Sequence, residues 1–251
     1  IMVAPATANV IAKLAHGLAD DMLTTTILAS HAPKLIAPAM NTGMYENPVT
    51  QDNLALLKKY GMEVIEPAAG HLACGDEGKG KMPEPEILYE HILRSCACKQ
   101  DMKGLKVLVT AGPTQEAVDP VRFLTNHSSG RMGYSIAKAC MLRGADVTLV
   151  TGRTALTPPL FVDVVPVVSA KDMYEELLNN IQGKGRCYLL LDEIQEVKGW
   201  ERCVNSLLEG QNVDIYVTGS NSKLMSSELS TYLTGRFVSI PVYTLSFKEY
   251  L

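Results

Sequence analysis

Residues 105–152, LKVLVTAGPTQEAVDPVRFLTNHSSGRMGYSIAKACMLRGADVTLVTG, carry the pattern that decides the fold class. The apolar run at its start predicts a buried strand, and this strand leads into a Gly-Pro turn at Gly112. The amphipathic segment from Met132 to Arg143 predicts a helix that Gly144 ends, and DVTLVTG predicts the next strand. A strand, a helix and a strand in this order are typical of a parallel α/β sheet.

The same alternation extends in both directions along the chain. Further helices are predicted over residues 8–18, 48–60, 84–96 and 171–182. The polar, glycine-rich segment 72–85 predicts an exposed loop, and the charged run 98–104 predicts a linker between two α/β units. The other predicted strands are IMVAP, PKLIAPAM and MEVIEP before the linker and CYLLLDE, VDIYVTGS and FVSIPV after it.

Composition limits the possible classes of protein. The chain has 251 residues, of which 47% are hydrophobic, and this is enough apolar surface to build a core. A net charge of −4 gives no general attraction to nucleic acid or to an anionic membrane. No apolar run approaches the roughly 20 residues of a spanning helix, and the six cysteines form no dense disulfide pattern. We therefore expect a soluble protein of the cytoplasm.

Three segments before the linker place polar or reactive residues where α/β proteins bind ligands. In APATAN, Thr7 stands between a strand and a helix N-terminus, where backbone amides can hold a phosphate or the edge of a ring. Asn41 follows the end of the strand PKLIAPAM, and Cys74 lies in the glycine-rich segment. Taken singly, these are a capping turn, a turn residue and an ordinary thiol.

Taken together, PAMNTGMYENP and ACGDEGKG resemble the phosphopantothenoylcysteine decarboxylases, a flavoprotein family that also forms one half of bifunctional coenzyme A biosynthesis proteins. The resemblance covers roughly residues 1–100 and implies a flavodoxin-like, Rossmann-like fold. It implies that Asn41 grips the substrate carboxylate, with Ala73 beside it, and that Cys74 in a closing flap donates a proton. Lys81 stands where the family usually has arginine. The positions that match the FMN-binding residues are Thr7, Ala8, Asn9, Val10 and Ala39.

The implied reaction explains these residue types. Bound FMN would take two electrons from the cysteine moiety of the substrate and later return them, so that the carboxylate leaves from an oxidised thioaldehyde. Cys74 would then protonate the ene-thiol product of decarboxylation. The amide of Asn41 suits the carboxylate because it donates hydrogen bonds without a charge that would hold the ion in its ground state.

The opening stretch resembles the phosphopantothenate–cysteine ligase half of the same bifunctional proteins, most strongly over residues 104–151. The resemblance implies activation of phosphopantothenate by CTP with Mg²⁺, followed by attack of the cysteine amine. Asn126 matches the residue that handles the acyl-cytidylate intermediate. The positions that match the nucleotide phosphate site are Gly112, Ser128, Gly130 and Gly133.

From about residue 179 the sequence changes character. CYLLLDEIQEVKGWE and the residues after it resemble a prokaryotic AAA-type ATPase, whose Mg²⁺-binding acids are matched by Asp192 and Glu193. Ser220 or Asn221 matches its sensor position, and Arg236 matches an arginine that faces a neighbouring subunit. The phosphate-binding motif GxxxxGK[ST] occurs nowhere in the chain, so Asp192 has no phosphate loop of the ATPase kind to work with.

We therefore predict a decarboxylase-like unit at 1–102 whose N-terminus is missing, the first part of a ligase-like unit at 103–175, and an ATPase-like fragment at 176–251. The fragment either completes the second sheet or forms a separate lobe. The predicted activity is FMN-dependent decarboxylation of 4′-phosphopantothenoylcysteine, with a partial ligase. The alternatives are a catalytically inactive chimera that binds flavin or a partner, and an AAA-type ATP-binding protein. The expected partners are small-molecule substrates and further copies of the chain, without nucleic acid, membrane or a protein-bound metal site.

Overall fold

The computed structural model describes residues 1–71, 77–181, 185–192, 194, 199–210, 212–219, 238 and 240. The chain forms two compact units, Ile1–Gln100 and Asp101–Leu251. Both units contain a parallel sheet with helices in its connections, which confirms the predicted α/β class. Within the described residues, no helix combines the length and the apolar character needed to cross a membrane.

The first unit is built on a parallel sheet of three strands in the order β1-β2-β3, beside an antiparallel hairpin of β4 and β5. Its elements are β1 (Met2–Ala6), α1 (Ala8–His16), α2 (Met22–Ala29), β2 (Leu35–Pro38), α3 (Thr42–Tyr45), α4 (Pro48–Lys59), β3 (Glu63–Val64), β4 (Ala68–His71), β5 (Glu77–Lys81) and α5 (Pro85–Cys96).

Local sequence explains where the helices of this unit begin and end. Thr7 caps α1, and Gly17 ends it in a left-handed conformation at φ 69°. Asn47 caps α4, with Pro48 at the first helical position, as predicted. The apolar faces of these helices meet the sheet in a core whose fully buried side chains include Ile11, Ile27, Ile36 and Leu57.

The second unit has a parallel sheet of five strands in the order β10-β9-β6-β11-β12, and a short antiparallel ribbon of β7 and β8. Its elements are β6 (Lys106–Ala111), β7 (Gln115–Ala117), β8 (Phe123–Thr125), α6 (Arg131–Leu142), β9 (Asp146–Thr151), β10 (Asp163–Pro166), α7 (Ala170–Ile181), β11 (Cys187–Leu191), α8 (Trp200–Gly210) and β12 (Val213–Val217).

Strand β6 lies at the centre of the second sheet and is apolar on both faces. Val107 and Val109 belong to the core on the α6 side, whereas Leu108 belongs to the core that includes Leu189 and Trp200. Successive side chains of a strand point to opposite faces, so a strand covered on both sides must be apolar throughout. This requirement explains the continuous run that predicted β6 from the sequence.

Strands β11 and β12 complete the second sheet, which decides between the two arrangements that the sequence left open. Four residue pairs join β11 to β6 in parallel: the first pairs Cys187 with Lys106, and the last pairs Leu190 with Val109. Strand β12 continues the sheet beyond β11. The predicted strand VDIYVTGS is confirmed as β12. The predicted strand FVSIPV lies almost wholly outside the described residues.

The structure differs from the sequence predictions in several features, and its elements α3, α8, β4, β7, β8 and β10 were not predicted. The exposed loop predicted at 72–85 is wrong for residues 77–81, which form β5 and pair with β4. The many glycines concealed this strand because they give no apolar alternation. Helix α2 was not predicted, since Met22 and Leu28 are exposed and its apolar residues follow no helical stripe.

Candidate functional site

The carboxyl ends of β1 and β2 meet at one edge of the first sheet. The amide of Ala39 donates a hydrogen bond of 3.0 Å to the carbonyl oxygen of Ala6, so the two segments leave the sheet side by side. The predicted FMN-binding residues Thr7 and Ala39 follow these strand ends directly. Ligands of open parallel sheets bind at this edge.

The start of α1 provides hydrogen-bond donors at the same edge. The hydroxyl oxygen of Thr7 accepts from the amide of Val10 at 3.4 Å, which caps the helix. Thr7 and Asn9 are exposed, and Ala8 and Val10 are partly exposed. The first amides of a helix point out of its N-terminus. This set of neutral donors fits the polar edge and the phosphate of an FMN molecule.

Asn41 lies after the end of β2, where it caps the short helix α3. Its side-chain oxygen accepts a hydrogen bond of 2.8 Å from the amide of Gly43. Because that oxygen is engaged, the NH₂ group is the part of the side chain that suits a carboxylate ligand. The residue is partly exposed, so a substrate can reach it.

The hairpin of β4 and β5 lies against the Asn41 turn. The amide of Met40 donates a hydrogen bond of 3.0 Å to the carbonyl oxygen of Gly80, and Gly78 packs against the side chain of Thr42. The structure thus brings the predicted carboxylate-binding residue and the predicted flap together. Ala73 and Cys74 belong to the segment that connects the two strands and lie outside the described residues.

Lys81, at the end of β5, is engaged with Glu84. Its ammonium group lies 2.8 Å from the carboxylate oxygen of Glu84, and this contact lowers the pKa of that carboxyl below its ordinary value. Both side chains are about half exposed, so solvent screens this ion pair.

The second sheet has a comparable edge at the end of β6. Gly112 follows β6, and Gly130 occupies the N-cap position of α6 in a left-handed conformation at φ 73°. A Cβ atom on Gly130 would stand 3.1 Å from the amide nitrogen of Gly112, so the two turns lie in contact. The first amides of α6 face this point, which is suitable for phosphate.

Asn126 and Ser128 belong to the loop that enters α6. The side-chain oxygen of Asn126 accepts from the amide of Ser128 at 3.0 Å, and the hydroxyl of Ser128 accepts from the amide of Gly130 at 3.3 Å. Gly133 is buried in the first turn of α6 and faces β6, where a Cβ atom would stand 2.6 Å from the carbonyl oxygen of Thr110. Gly133 therefore lets α6 approach β6 closely.

A group of hydroxyls that no sequence pattern predicted supports this edge. The hydroxyl of Thr154 donates to that of Tyr134 at 3.0 Å, and the Tyr134 hydroxyl lies 3.3 Å from that of Thr151. A Cβ atom on Gly112 would stand 2.6 Å from the Thr154 methyl group, so Thr154 packs on the glycine turn. The contact joins residues 42 positions apart, and no local pattern predicts it.

Asp192 lies at the carboxyl end of β11, beside β6. Its amide donates to the hydroxyl of Thr110 at 3.1 Å, and its carboxylate accepts from the hydroxyl of Thr218 at 2.8 Å. The carboxylate is therefore held by the residue that directly follows the neighbouring strand β12. Glu193, Ser220, Asn221 and Arg236 lie outside the described residues.

Family comparisons divide the chain in the same order as the sequence analysis. Residues 1–97 match the family model described as Flavoprotein, and residues 102–185 match the DNA/pantothenate metabolism flavoprotein C-terminal domain. Residues 162–251 match an AAA domain. The first unit therefore matches the flavoprotein family over nearly its whole length.

The curated relatives are bifunctional proteins of coenzyme A biosynthesis. The chain is 49% identical over 180 residues to the coenzyme A biosynthesis bifunctional protein CoaBC of Haemophilus influenzae. This aligned region covers 72% of this chain and 45% of that protein. It is 50% identical over 182 residues to the protein of the same name from Bacillus subtilis, covering 71% of this chain and 45% of that protein. The chain thus spans less than half the length of these relatives.

Solved structures give the same names. A cysteine-to-serine mutant of PPC decarboxylase complexed with pantothenoylaminoethenethiol is 42% identical, covering 36% of this chain and 51% of that chain at a TM-score of 0.36. The C-terminal domain of a CoaBC protein is 32% identical, covering 47% of this chain and 78% of that chain at a TM-score of 0.36.

Proposed function

We propose that the first unit catalyses the FMN-dependent decarboxylation of 4′-phosphopantothenoylcysteine to 4′-phosphopantetheine. The observation that carries this proposal is the contact between the β4–β5 hairpin and the Asn41 turn through Met40 and Gly80. A carboxylate-binding amide and the hairpin whose connecting segment contains Cys74 belong to the same small region. The sequence identity to the bifunctional coenzyme A proteins supports the same reaction.

The donor groups at the start of α1 would hold FMN, with Thr7 and Asn9 beside its polar atoms. When bound, FMN supplies a reversible two-electron acceptor, so the reaction has no net redox change. The Asn41 amide would orient the carboxylate of the substrate until carbon dioxide leaves. Cys74 would then give its proton to the carbon of the ene-thiol product, and a proton from solvent would restore the thiol.

Variants of the whole chain test this function. We expect the purified protein to take up added FMN and to release carbon dioxide from 4′-phosphopantothenoylcysteine. Cys74→Ser should retain FMN and lower the formation of 4′-phosphopantetheine by roughly 10²–10⁴-fold, the usual contribution of a positioned acid. Asn41→Ala should retain FMN and lose carbon dioxide release.

The matched control is Cys98→Ser, which removes an exposed thiol from the same unit. It should leave FMN uptake and turnover unchanged. A chain that neither takes up FMN nor releases carbon dioxide would contradict the proposal, and so would a Cys74→Ser variant with full turnover.

A second candidate function, for the second unit, is binding of CTP with Mg²⁺ as in a phosphopantothenate–cysteine ligase. The close contact of Gly112 with Gly130 at the N-terminus of α6 favours a nucleotide phosphate there. Titration calorimetry with Mg²⁺·CTP tests it: Ser128→Ala should weaken binding, and no heat with the unaltered chain would contradict it. In this proposal residues 103–175 descend from the ligase and 176–251 from an AAA-type ATPase.

If ATP bound with a dependence on Asp192, the AAA-type alternative would be favoured over the ligase-type site. Flavin uptake without turnover would instead indicate an inactive chimera. By resemblance, the substrates are phosphopantothenoylcysteine, phosphopantothenate, cysteine and CTP, and the protein forms a homo-oligomer in the cytoplasm.

A further inference from the structure

The contact between β5 and the Asn41 turn is made by backbone atoms. Gly80 is buried, with φ at +145°, and its carbonyl oxygen accepts the Met40 amide at 3.0 Å. A Cβ atom on Gly80 would overlap the carbonyl oxygen of Met40. No side chain could relieve this overlap by rotating, because the atom that it meets belongs to the backbone. The depth of the contact therefore requires glycine at position 80.

A second glycine of β5 makes the neighbouring contact. A Cβ atom on Gly78 would stand 2.7 Å from both the Cγ2 and the Oγ1 atoms of Thr42. The Thr42 hydroxyl is buried, and within the described part of the chain it has no hydrogen-bond partner. Thr42 therefore meets the hairpin through packing alone, so a smaller residue at position 42 would make room for a Cβ at position 78.

The hairpin also contains a third glycine, Gly70, that serves as a control position for Gly78 and Gly80. Gly70 pairs directly with Gly78 across the hairpin and has a nearly equal φ, +155° against +159°. Among the residues that the structure describes, none has an atom within 4 Å of a Cβ atom placed on Gly70. A change to alanine at position 70 thus carries the backbone strain alone, whereas at 78 or 80 it carries the same strain and a collision.

We propose that Gly78 and Gly80 are positioning residues that set how closely the hairpin lies on residues 40–42. This contact holds the hairpin against the turn that contains Asn41, and it consists of main-chain and packing interactions within the protein. The role in catalysis rests on the proposed decarboxylase function, whereas the role in docking does not.

Amide hydrogen exchange of the whole chain, measured by NMR without FMN, tests the docking. Gly80→Ala should speed the exchange of the Met40 amide about tenfold or more, because overpacking of this kind costs enough to populate the undocked hairpin. Gly70→Ala should leave that rate within about twofold of the unaltered protein. The Ile65 amide, which donates to Ile36 at 2.9 Å in the sheet, should stay protected in both variants and report an intact fold.

A rescue experiment separates positioning from general damage. Gly78→Ala should speed Met40 exchange, and the double change Gly78→Ala with Thr42→Ala should return it to the rate of Gly70→Ala. Loss of the rescue would overturn the role of Gly78. Equal Met40 exchange in Gly80→Ala and Gly70→Ala would overturn the role of Gly80.

Turnover gives an independent reading. Gly80→Ala should retain FMN and lower kcat roughly 10–100-fold with little change in KM, since a displacement of about 1 Å at a reacting group has an effect of this size. If the exchange pattern appears in a chain without FMN uptake, the docking role stands and the decarboxylase proposal fails. If turnover is present and Gly80→Ala matches Gly70→Ala in kcat, the catalytic role of the glycines fails.

Discussion

The two sheets of this protein differ in the family models that their strands match. All strands of the first unit lie within one family match, residues 1–97. In the second unit, β6 and β9 lie in the part matched only by the pantothenate-metabolism domain, whereas β11 and β12 lie beyond residue 185 and are matched only by the AAA domain. Nevertheless β11 pairs with β6 in an unbroken parallel register.

The difference shows that strands with different family matches can pair in one parallel sheet when each meets the packing requirements of its position. A central parallel strand needs an apolar run and a crossover helix, and CYLLL with α7 before it supplies both. A Mg²⁺-binding acid needs a phosphate loop of the matching kind, and the sequence contains no GxxxxGK[ST]. Asp192 therefore contributes to the joining of strands, through Thr110 and Thr218.

The largest expected effect comes from the core that spans the two families in the second sheet. Leu189→Ala should lower the free energy of unfolding of the second unit by about 2–5 kcal/mol, because Leu189 is fully buried and its removal leaves a cavity. Trp200, the only tryptophan in the chain, is buried in the same core. Its fluorescence in a urea titration therefore follows the unfolding of the second unit.

Leu57→Ala is the matched control, since it removes an equally buried leucine from the core of the first unit. It should leave the urea concentration at the midpoint of unfolding, followed by Trp200 fluorescence, unchanged. A Leu189→Ala variant that unfolds at the same urea concentration as the unaltered protein would show that β11 does not belong to the sheet in solution. The second sheet would then not combine strands from two family matches.

A smaller effect is expected from a single hydrogen bond at the junction of the two families. Thr110→Val removes the hydroxyl that accepts from the Asp192 amide at 3.1 Å, with nearly the same side-chain volume. We expect a loss of about 1 kcal/mol in the same urea titration. Thr148→Val serves as the control, because Thr148 occupies a half-buried position on the neighbouring strand β9. It should change stability less. Equal effects would mean that this hydrogen bond does not stabilise the junction.

The smallest expected effect compares one capped helix from each unit. Hydrogen bonds from the amide and the hydroxyl of Thr24, followed by Lys13, lower the pKa of Asp21 at the start of α2 to about 2. At the start of α7, hydrogen bonds with Ser169 lower the pKa of Asp172 below its ordinary value. Both folded-state pKa values lie below the unfolded ones, so the stabilisation is complete above about pH 4 and is lost as pH falls further.

The pH titration of the Thr24 amide chemical shift should have its midpoint at about 2. Thr24→Val removes one of the two donors from Thr24 and should move this midpoint upward. A midpoint at the ordinary aspartate value in the unaltered protein would contradict the assigned cap.

The sequence predicted the regular elements well where the local signal was complete. Thr7 caps α1 and Pro48 begins α4 as predicted, because caps and breakers act through neighbouring backbone groups. The predicted end of α1 at residue 18 was wrong, since Gly17 ends the helix in a left-handed conformation after His16. Strand β5 was mistaken for a loop because its hydrogen bonds come from β4 and its close packing from Met40 and Thr42. Among the candidate site residues, Asn41 was predicted from a sequence motif. No motif specifies Thr42 or Thr154, whose contacts only the structure shows.

By itself, the sequence determined the α/β class, the central strands and longer helices that it predicted, the similarity to the coenzyme A proteins and the absence of the motif GxxxxGK[ST] from these 251 residues. These features depend on side-chain periodicity and on short motifs, which can be read locally. Only the tertiary structure decided that β11 and β12 complete the second sheet and that Gly78 and Gly80 lie against the Asn41 turn. Both depend on the approach of backbones that are distant along the chain, and the packing of the whole unit fixes those distances.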